Sequence, residues 1–249
     1  MKKRRTAILF CLSFFTFNSF LALASPLAKN RPSRISSDIG NGGDLIQCHP
    51  LGTLFPYPLN EGWYLLDYAE KRNVRESYLE KETLSEYLEH LGKLIGKADS
   101  SLFQSWESFL IEVPFISFES SREHTRNMGR RWVATRRNII IQDEDVQFLP
   151  RNCYRFSGLN KFIFHQLVVR KETTHPLSGE VSIKYSYDDR LLSYIQDRPI
   201  QLSMLLLHEW LWDFYPAEEA RVLREANRIL HSSEAVSMTG SEIRNLIHP

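Results

Sequence analysis

A histidine and a glutamate stand side by side in the most apolar stretch near the C-terminus. His208 and Glu209 follow three leucines, and Trp212 and Asp213 come shortly after them. An imidazole beside a carboxylate is suited to metal binding or to general acid–base chemistry. Helical spacing places Glu209 and Asp213 on one face, where two unpaired carboxylates would be costly in apolar surroundings. They therefore require a partner: a metal ion, a substrate amine, or an arginine such as Arg221, Arg224 or Arg228.

The Leu-Leu-Leu-His-Glu segment resembles the active-site helix of zincin metallopeptidases. In that family a second histidine four residues on completes the zinc pair, and the glutamate is the general base. This chain has Trp212 at that position, and an indole does not bind zinc. The resemblance implies a divergent zinc-dependent hydrolase or peptidase with His208 as one ligand and Glu209 as base. Its spacing does not choose among the further candidate ligands, His165, His231, Asp213 and Glu225.

The alternative interpretation of this helix is structural, and we favour it. His208 and Glu209 would then be buried and would hydrogen-bond to tie the terminal helices to the sheet. A third His, Asp or Glu within metal-ligand reach in a cleft would favour the enzyme instead. A functional site would also shift the pKa of a carboxyl upward.

Arginine is dense in the middle of the chain, with six arginines between residues 122 and 137, followed by Asp143-Glu144-Asp145. Guanidinium groups bind phosphate and carboxylate in a bidentate manner. The candidate residues for binding anionic envelope components are Arg130, Arg131, Arg136 and Arg137. We favour the alternative, in which the arginines form the solvated edge of a hairpin and pair with the acidic residues.

The first 24 residues are typical of a cleavable export signal. Four basic residues at positions 2–5 precede an apolar run from Ala7 to Phe17, and Ala22 and Ala24 form an A-x-A cleavage site. We predict cleavage between Ala24 and Ser25, which places the protein in the periplasm or outside the cell. An uncleaved anchor needs about 20 consecutive apolar residues, and this run is shorter. We therefore expect no transmembrane segment in the mature chain.

Removal of the signal changes the charge and the cysteine content. Four of the 31 basic residues and none of the 30 acidic residues lie in residues 1–24, so the mature chain has a formal net charge of −3. This argues against general nucleic-acid binding, which usually shows as a strongly basic domain. Cys48 and Cys153 remain, and an oxidising compartment favours a disulfide between them over two buried thiols.

The pattern of apolar residues predicts an α+β fold with helices at both ends of the chain. Residues 25–39 lack periodicity and are predicted to be a flexible leader, followed by a single domain over residues 40–249. Helical spacing covers 61–109, 191–196, 199–214 and 216–230, and a capping box at Thr239–Glu242 precedes a last short helix. We expect these helices to pack on a central antiparallel sheet. Its predicted strands are 45–48, 114–118, 131–141, 161–170 and 180–187.

Short segments along the mature chain resemble a set of uncharacterised exported bacterial proteins. The matching segments are Gly40–Asp44, Cys48, Leu65–Asp67, Pro150–Cys153 and Leu206–Glu209. The resemblance implies an exported location and pairing of Cys48 with Cys153. The resemblance does not imply any particular activity for this chain.

Two functional hypotheses follow from the sequence. We favour a non-enzymatic envelope or interaction protein, whose partner is an envelope component or another protein. The alternative is a divergent metal-dependent hydrolase that uses the His208-Glu209 helix, with zinc as its cofactor.

Overall fold

The computed structural model describes residues 38–39, 43–48, 62–69, 78–117, 130–136, 139–141, 162–175, 178–216 and 219–249. The helices are α1 (Leu66–Ala69), α2 (Leu84–Ala98), α3 (Ser100–Glu112), α4 (Asp189–Leu192), α5 (Pro199–Leu211), α6 (Ala220–Leu230) and α7 (Gly240–Ile247), with a 3₁₀ turn at Ser233–Val236. The strands are β1 (Asp38–Ile39), β2 (Asp44–Cys48), β3 (Trp63–Leu65), β4 (Arg130–Thr135), β5 (Ile139–Ile141), β6 (Phe162–Gln166), β7 (Val168–Thr174) and β8 (Val181–Asp188).

These strands form two four-stranded sheets, in the orders β1-β7-β8-β4 and β3-β2-β6-β5. The predicted α+β class is confirmed, but the prediction of one central antiparallel sheet is wrong. The described strands form two sheets, and β4 runs parallel to β8, from Arg130 opposite Ile183 to Thr135 opposite Asp188. Parallel neighbours need a long connection, often a helix. Here the connection between β4 and β8 contains β5, β6 and β7. The absence of a long helix between the predicted strands was therefore not evidence against a parallel pair.

The stretch 161–170, predicted as one strand, is divided between the two sheets at Leu167. β6 pairs with β2 in one sheet, and β7 pairs with β8 in the other. The Leu167 N–H donates to the Gly43 carbonyl at 3.2 Å, and its carbonyl accepts from the Asp188 N–H at 3.0 Å. Both backbone groups at the junction are therefore satisfied, although Leu167 belongs to neither strand.

Helix α5 is the most buried helix of the described chain. Every residue from Gln201 to Leu211 is buried, as expected for a helix that is apolar on most of its surface. Gln201 Oε1 accepts the backbone N–H of Leu65 at 2.8 Å, which supplies a partner along β3, the last strand of its sheet. Helix α5 therefore carries His208 and Glu209 into the interior.

The capping box predicted before the last helix is confirmed. The Thr239 hydroxyl accepts from the Glu242 N–H at 3.3 Å, and the Glu242 carboxylate accepts from the Thr239 N–H at 2.6 Å. Gly240 follows the cap at the point where α7 meets the end of α2, and a Cβ at this position would collide with the Lys97 carbonyl. The cap and the glycine together fix where α7 begins.

Several predicted elements differ from the observed ones in extent. Residues 63–65, counted in the predicted helical region, form β3, and the predicted strand 114–118 contains no strand in its described part, residues 114–117. The predicted strand 131–141 is divided into β4 and β5. Tertiary pairing decides these cases, because short apolar runs fit a strand and a buried helix equally well.

Some predictions concern residues outside the described ranges. They include the signal peptide with its Ala24–Ser25 cleavage site, residues 25–37 of the predicted leader, the acidic run at 143–145, Cys153 and Arg137. The last two residues of the segment predicted as a flexible leader form β1, which pairs with β7 through Asp38 opposite Lys171. Among the helices described, none is both long and apolar enough to cross a membrane.

Candidate functional site

A buried polar cluster forms where α1, α5 and α6 meet, and we define it as Asp67, His208, Glu209 and Asn227. Asp67 and Glu209 are 0% exposed, and His208 is 1% exposed. His208 Nδ1 lies 2.7 Å from Asp67 Oδ2, and Asn227 Nδ2 donates to the same oxygen at 2.5 Å. Asn227 Nδ2 also donates to the Met204 carbonyl at 2.8 Å. One carboxylate oxygen of α1 thus receives hydrogen bonds from two C-terminal helices.

The Asp67–His208 contact is an ion pair. Burial alone would raise the pKa of Asp67, but the charge and hydrogen bond of His208, together with Arg224 and Asn227, lower it below its usual value. Burial alone would likewise lower the pKa of His208, but the charge and hydrogen bond of Asp67 raise it. Each partner therefore holds the other in its charged form.

Glu209 has a different environment from its neighbour. Neither of its carboxylate oxygens has a hydrogen-bond partner among the described residues. Burial raises the pKa of Glu209 to about 7, with further upward contributions from Asp67 and Asp213 that His208 and Arg170 partly oppose. The upward shift expected of a functional carboxyl is present, and burial is its main cause.

Gly43, the residue before β2, packs directly on this glutamate. Gly43 has φ +56°, and a Cβ at this position would lie 2.5 Å from Leu205 Cδ1 and 3.1 Å from Glu209 Oε1. Only glycine satisfies both the left-handed backbone and the close contact. Gly43, Asp67 and His208-Glu209, which lie in three separate segments of the sequence, therefore meet in this region.

Asp213, four residues after Glu209, has two arginine partners from the sheet. Arg170 Nη2 lies 3.1 Å from Asp213 Oδ1, and Arg130 Nη2 pairs with Asp213 Oδ2. Arg170 also pairs with Glu172 at 3.2 Å. The partners thus come from β4 and β7, whereas the sequence suggested arginines of α6.

The four arginines predicted to bind anions do not share one environment. The Arg130 side chain is buried in its pair with Asp213, whereas Arg131 is exposed because successive residues of β4 face opposite sides. Arg136 is exposed, with Nε 3.8 Å from Asp189 Oδ1. Arg137 lies outside the described residues.

The further histidines proposed as metal ligands have other contacts. His165 Nε2 lies 3.2 Å from Gln47 Oε1 in the β2–β6 sheet. His231 Nδ1 donates to the Asn227 carbonyl at 2.9 Å, and its Nε2 lies 2.8 Å from the Ser203 hydroxyl. Burial lowers the pKa of His231 to about 4, which keeps the ring neutral. Within the described ranges, no three His, Cys, Asp or Glu side chains are grouped so that they could hold a metal ion.

No protein-family model, curated protein or solved structure matches this chain. Both resemblances drawn from short sequence segments stay predictions. The geometry of the buried polar cluster is therefore the basis for the proposed function.

Proposed function

We propose that this protein is an exported, non-enzymatic envelope or interaction protein in which the buried polar cluster holds the fold together. The observation that carries the proposal is the commitment of His208 to Asp67 at 2.7 Å, with both side chains almost fully buried. A group enclosed in this way has no access to a substrate. Its contacts join α1 to α5, which are far apart in the sequence.

The Asp67 contacts also account for the presence of His208 in an otherwise apolar helix. Asp67 accepts from His208 and Asn227, so helices α1, α5 and α6 must adopt one relative position to satisfy the same carboxylate. Removing one partner of a buried ion pair leaves an uncompensated charge, which is strongly destabilising. The polar contacts would therefore select one packing of these helices.

Two observations favour the alternative, a divergent metal-dependent hydrolase. A metal-binding histidine commonly donates its other ring nitrogen to a carboxylate, as His208 does to Asp67, and His208 Nε2 has no hydrogen-bond partner among the described residues. Glu209, with a pKa raised to about 7, would suit a general base. Against it stand the enclosure of both side chains and the raised pKa of His208, since a protonated imidazole does not bind metal.

Metal analysis of the purified mature protein separates the two functions. We expect no stoichiometric metal in the wild type, in His208→Ala, or in the control His175→Ala, which removes an exposed histidine. A stoichiometric metal in the wild type that is lost in His208→Ala and retained in His175→Ala would overturn the structural proposal. The wild-type measurement decides the matter even where His208→Ala does not fold.

Export and the disulfide belong to the same proposal and have their own test. Cys48 is buried at the end of β2, where a bridge to Cys153 would tie the β2–β6 sheet to the middle of the chain. We expect the mass of the exported protein to match Ser25–Pro249 with one disulfide, and a thiol reagent to modify the chain only after reduction. Cys48→Ser is the control, because it would leave Cys153 open to the reagent. Retention of Met1, or thiol modification without reduction, would contradict this part of the proposal.

A further inference from the structure

A cleft of about 470 Å³ lies beyond the ends of β4 and β8, away from the residues of the buried polar cluster. The described residues that line it are Arg136, Asp189, Arg190 and Ser193. Thr135 is opposite Asp188 in the parallel pair, so the carboxyl ends of both strands lie side by side next to the cleft. Crevices outside the carboxyl ends of parallel strands are common ligand sites. The volume falls in the range of small-molecule sites, roughly 300–1,000 Å³.

The backbone that presents these side chains is held in place. Asp188 is buried, and its Oδ1 accepts from the Arg190 N–H at 3.0 Å and the Leu191 N–H at 3.1 Å. Ser193 donates its hydroxyl to the Arg190 carbonyl at 2.7 Å, which leaves the hydroxyl oxygen able to accept. The cleft is thus built on a fixed turn that follows β8.

The charges of the lining select the ligand. Among the described lining residues, two guanidinium groups and one carboxylate give a net charge of +1. The Arg190 side chain forms no ion pair in the part of the chain that the structure describes. Arg136 forms a long ion pair, with its Nε 3.8 Å from Asp189 Oδ1. A doubly charged phosphate would be repelled by Asp189, whereas a single carboxylate fits the arginines. Asp189 and Ser193 would then accept hydrogen bonds from neighbouring hydroxyl groups.

We infer that this cleft binds a monocarboxylate that carries hydroxyl groups, the chemistry of a uronic acid or another sugar acid. Arg136 and Arg190 contact the carboxylate, and Asp189 and Ser193 contact the hydroxyls. The inference goes beyond the proposed function, and its failure would leave the structural role of the buried polar cluster unaffected.

Binding measurements on the mature protein test this inference with four probes: glucuronate, glucose, acetate and alanine. We expect saturable binding of glucuronate in the millimolar range and weaker binding of the other three. Arg190→Ala and Arg136→Ala should each weaken glucuronate binding by roughly fivefold, as for exposed charge pairs. The matched control is Arg131→Ala, which removes an exposed arginine of β4 that does not line the cleft.

Several results would overturn the inference. Absence of saturable glucuronate binding would show that the cleft is not a binding site for this ligand class. Equal binding of glucose would show that the carboxylate does not contribute to recognition. If alanine bound as tightly as glucuronate, the ligand group recognised beside the carboxylate would be an ammonium group and not hydroxyl groups. An equal loss in Arg131→Ala would show a general charge effect instead of a defined cleft.

Discussion

Replacing Asp67 with alanine is expected to destabilise the folded protein by about 3–5 kcal/mol, because it leaves His208 buried without its ion-pair partner. Asn227 would lose an acceptor in the same step. The loss should appear as a lower midpoint of urea unfolding with an unchanged slope. The exposed Glu89–Lys93 pair provides the control, since Glu89→Ala removes a solvent-screened surface contact and should leave the midpoint of unfolding nearly unchanged.

The pH dependence of this loss follows from the two pKa shifts. Asp67 has a lowered pKa, so its contribution is present above about pH 3.8 and is lost as the pH falls through its folded-state pKa. His208 has a raised pKa, so its contribution is present below about pH 6.5 and is lost as the pH rises through its folded-state pKa. The difference in free energy of unfolding between wild type and Asp67→Ala should therefore be largest between about pH 3.8 and pH 6.5. Equal stability of the two proteins in that window would contradict the ion pair.

Replacing Glu209 with glutamine should stabilise the protein at high pH. The folded-state pKa of Glu209 is raised from 4.5 to about 7, so the folded protein keeps a proton that the unfolded chain has lost. The contribution of Glu209 to the free energy of unfolding of the wild type therefore falls by about 3 kcal/mol as the pH rises from about 4.5 to 7. Glutamine does not titrate, so Glu209→Gln should exceed the wild type at about pH 8 by up to this amount and differ little at about pH 5.

Comparison at equal pH removes the effect of His231, whose lowered pKa acts in the opposite direction. His231 is neutral in the folded protein, so its contribution is lost as the pH falls from about 6.5 toward 4 in every variant. Glu209→Asp is the matched control, because it keeps a carboxyl and should retain the pH dependence. A Glu209→Gln variant less stable than the wild type under alkaline conditions would show that the carboxylate has a stabilising partner.

Local signals in the sequence predicted the helix that carries the site. The leucines before His208 predicted an apolar helix, and the favoured interpretation had His208 and Glu209 buried; both are confirmed. The cost of burying carboxylates predicted that Asp213 needs a partner. Those arguments use only residues within a few turns of one another, where helical geometry sets the distances.

The identity of the partners was not predictable in the same way. Asp67 is 141 residues from His208, and Arg130 is 83 residues from Asp213. The sequence contains many acidic and basic residues that could fill these roles, and it suggested the nearby arginines of α6. Choosing among them requires the register of both sheets and the division of the chain at Leu167.

By itself, the sequence determined the mixed composition of helices and strands, the buried nature of α5 and the cap of α7, because periodicity and capping act over a few residues. The tertiary structure decided that β4 runs parallel to β8, that Gly43 packs on Glu209, and that His208 pairs with Asp67. Each of these contacts depends on the position of every element between the two residues. That is why the chemistry of His208 and Glu209 could be recognised from the sequence, while the residues that contact them could be identified only in the fold.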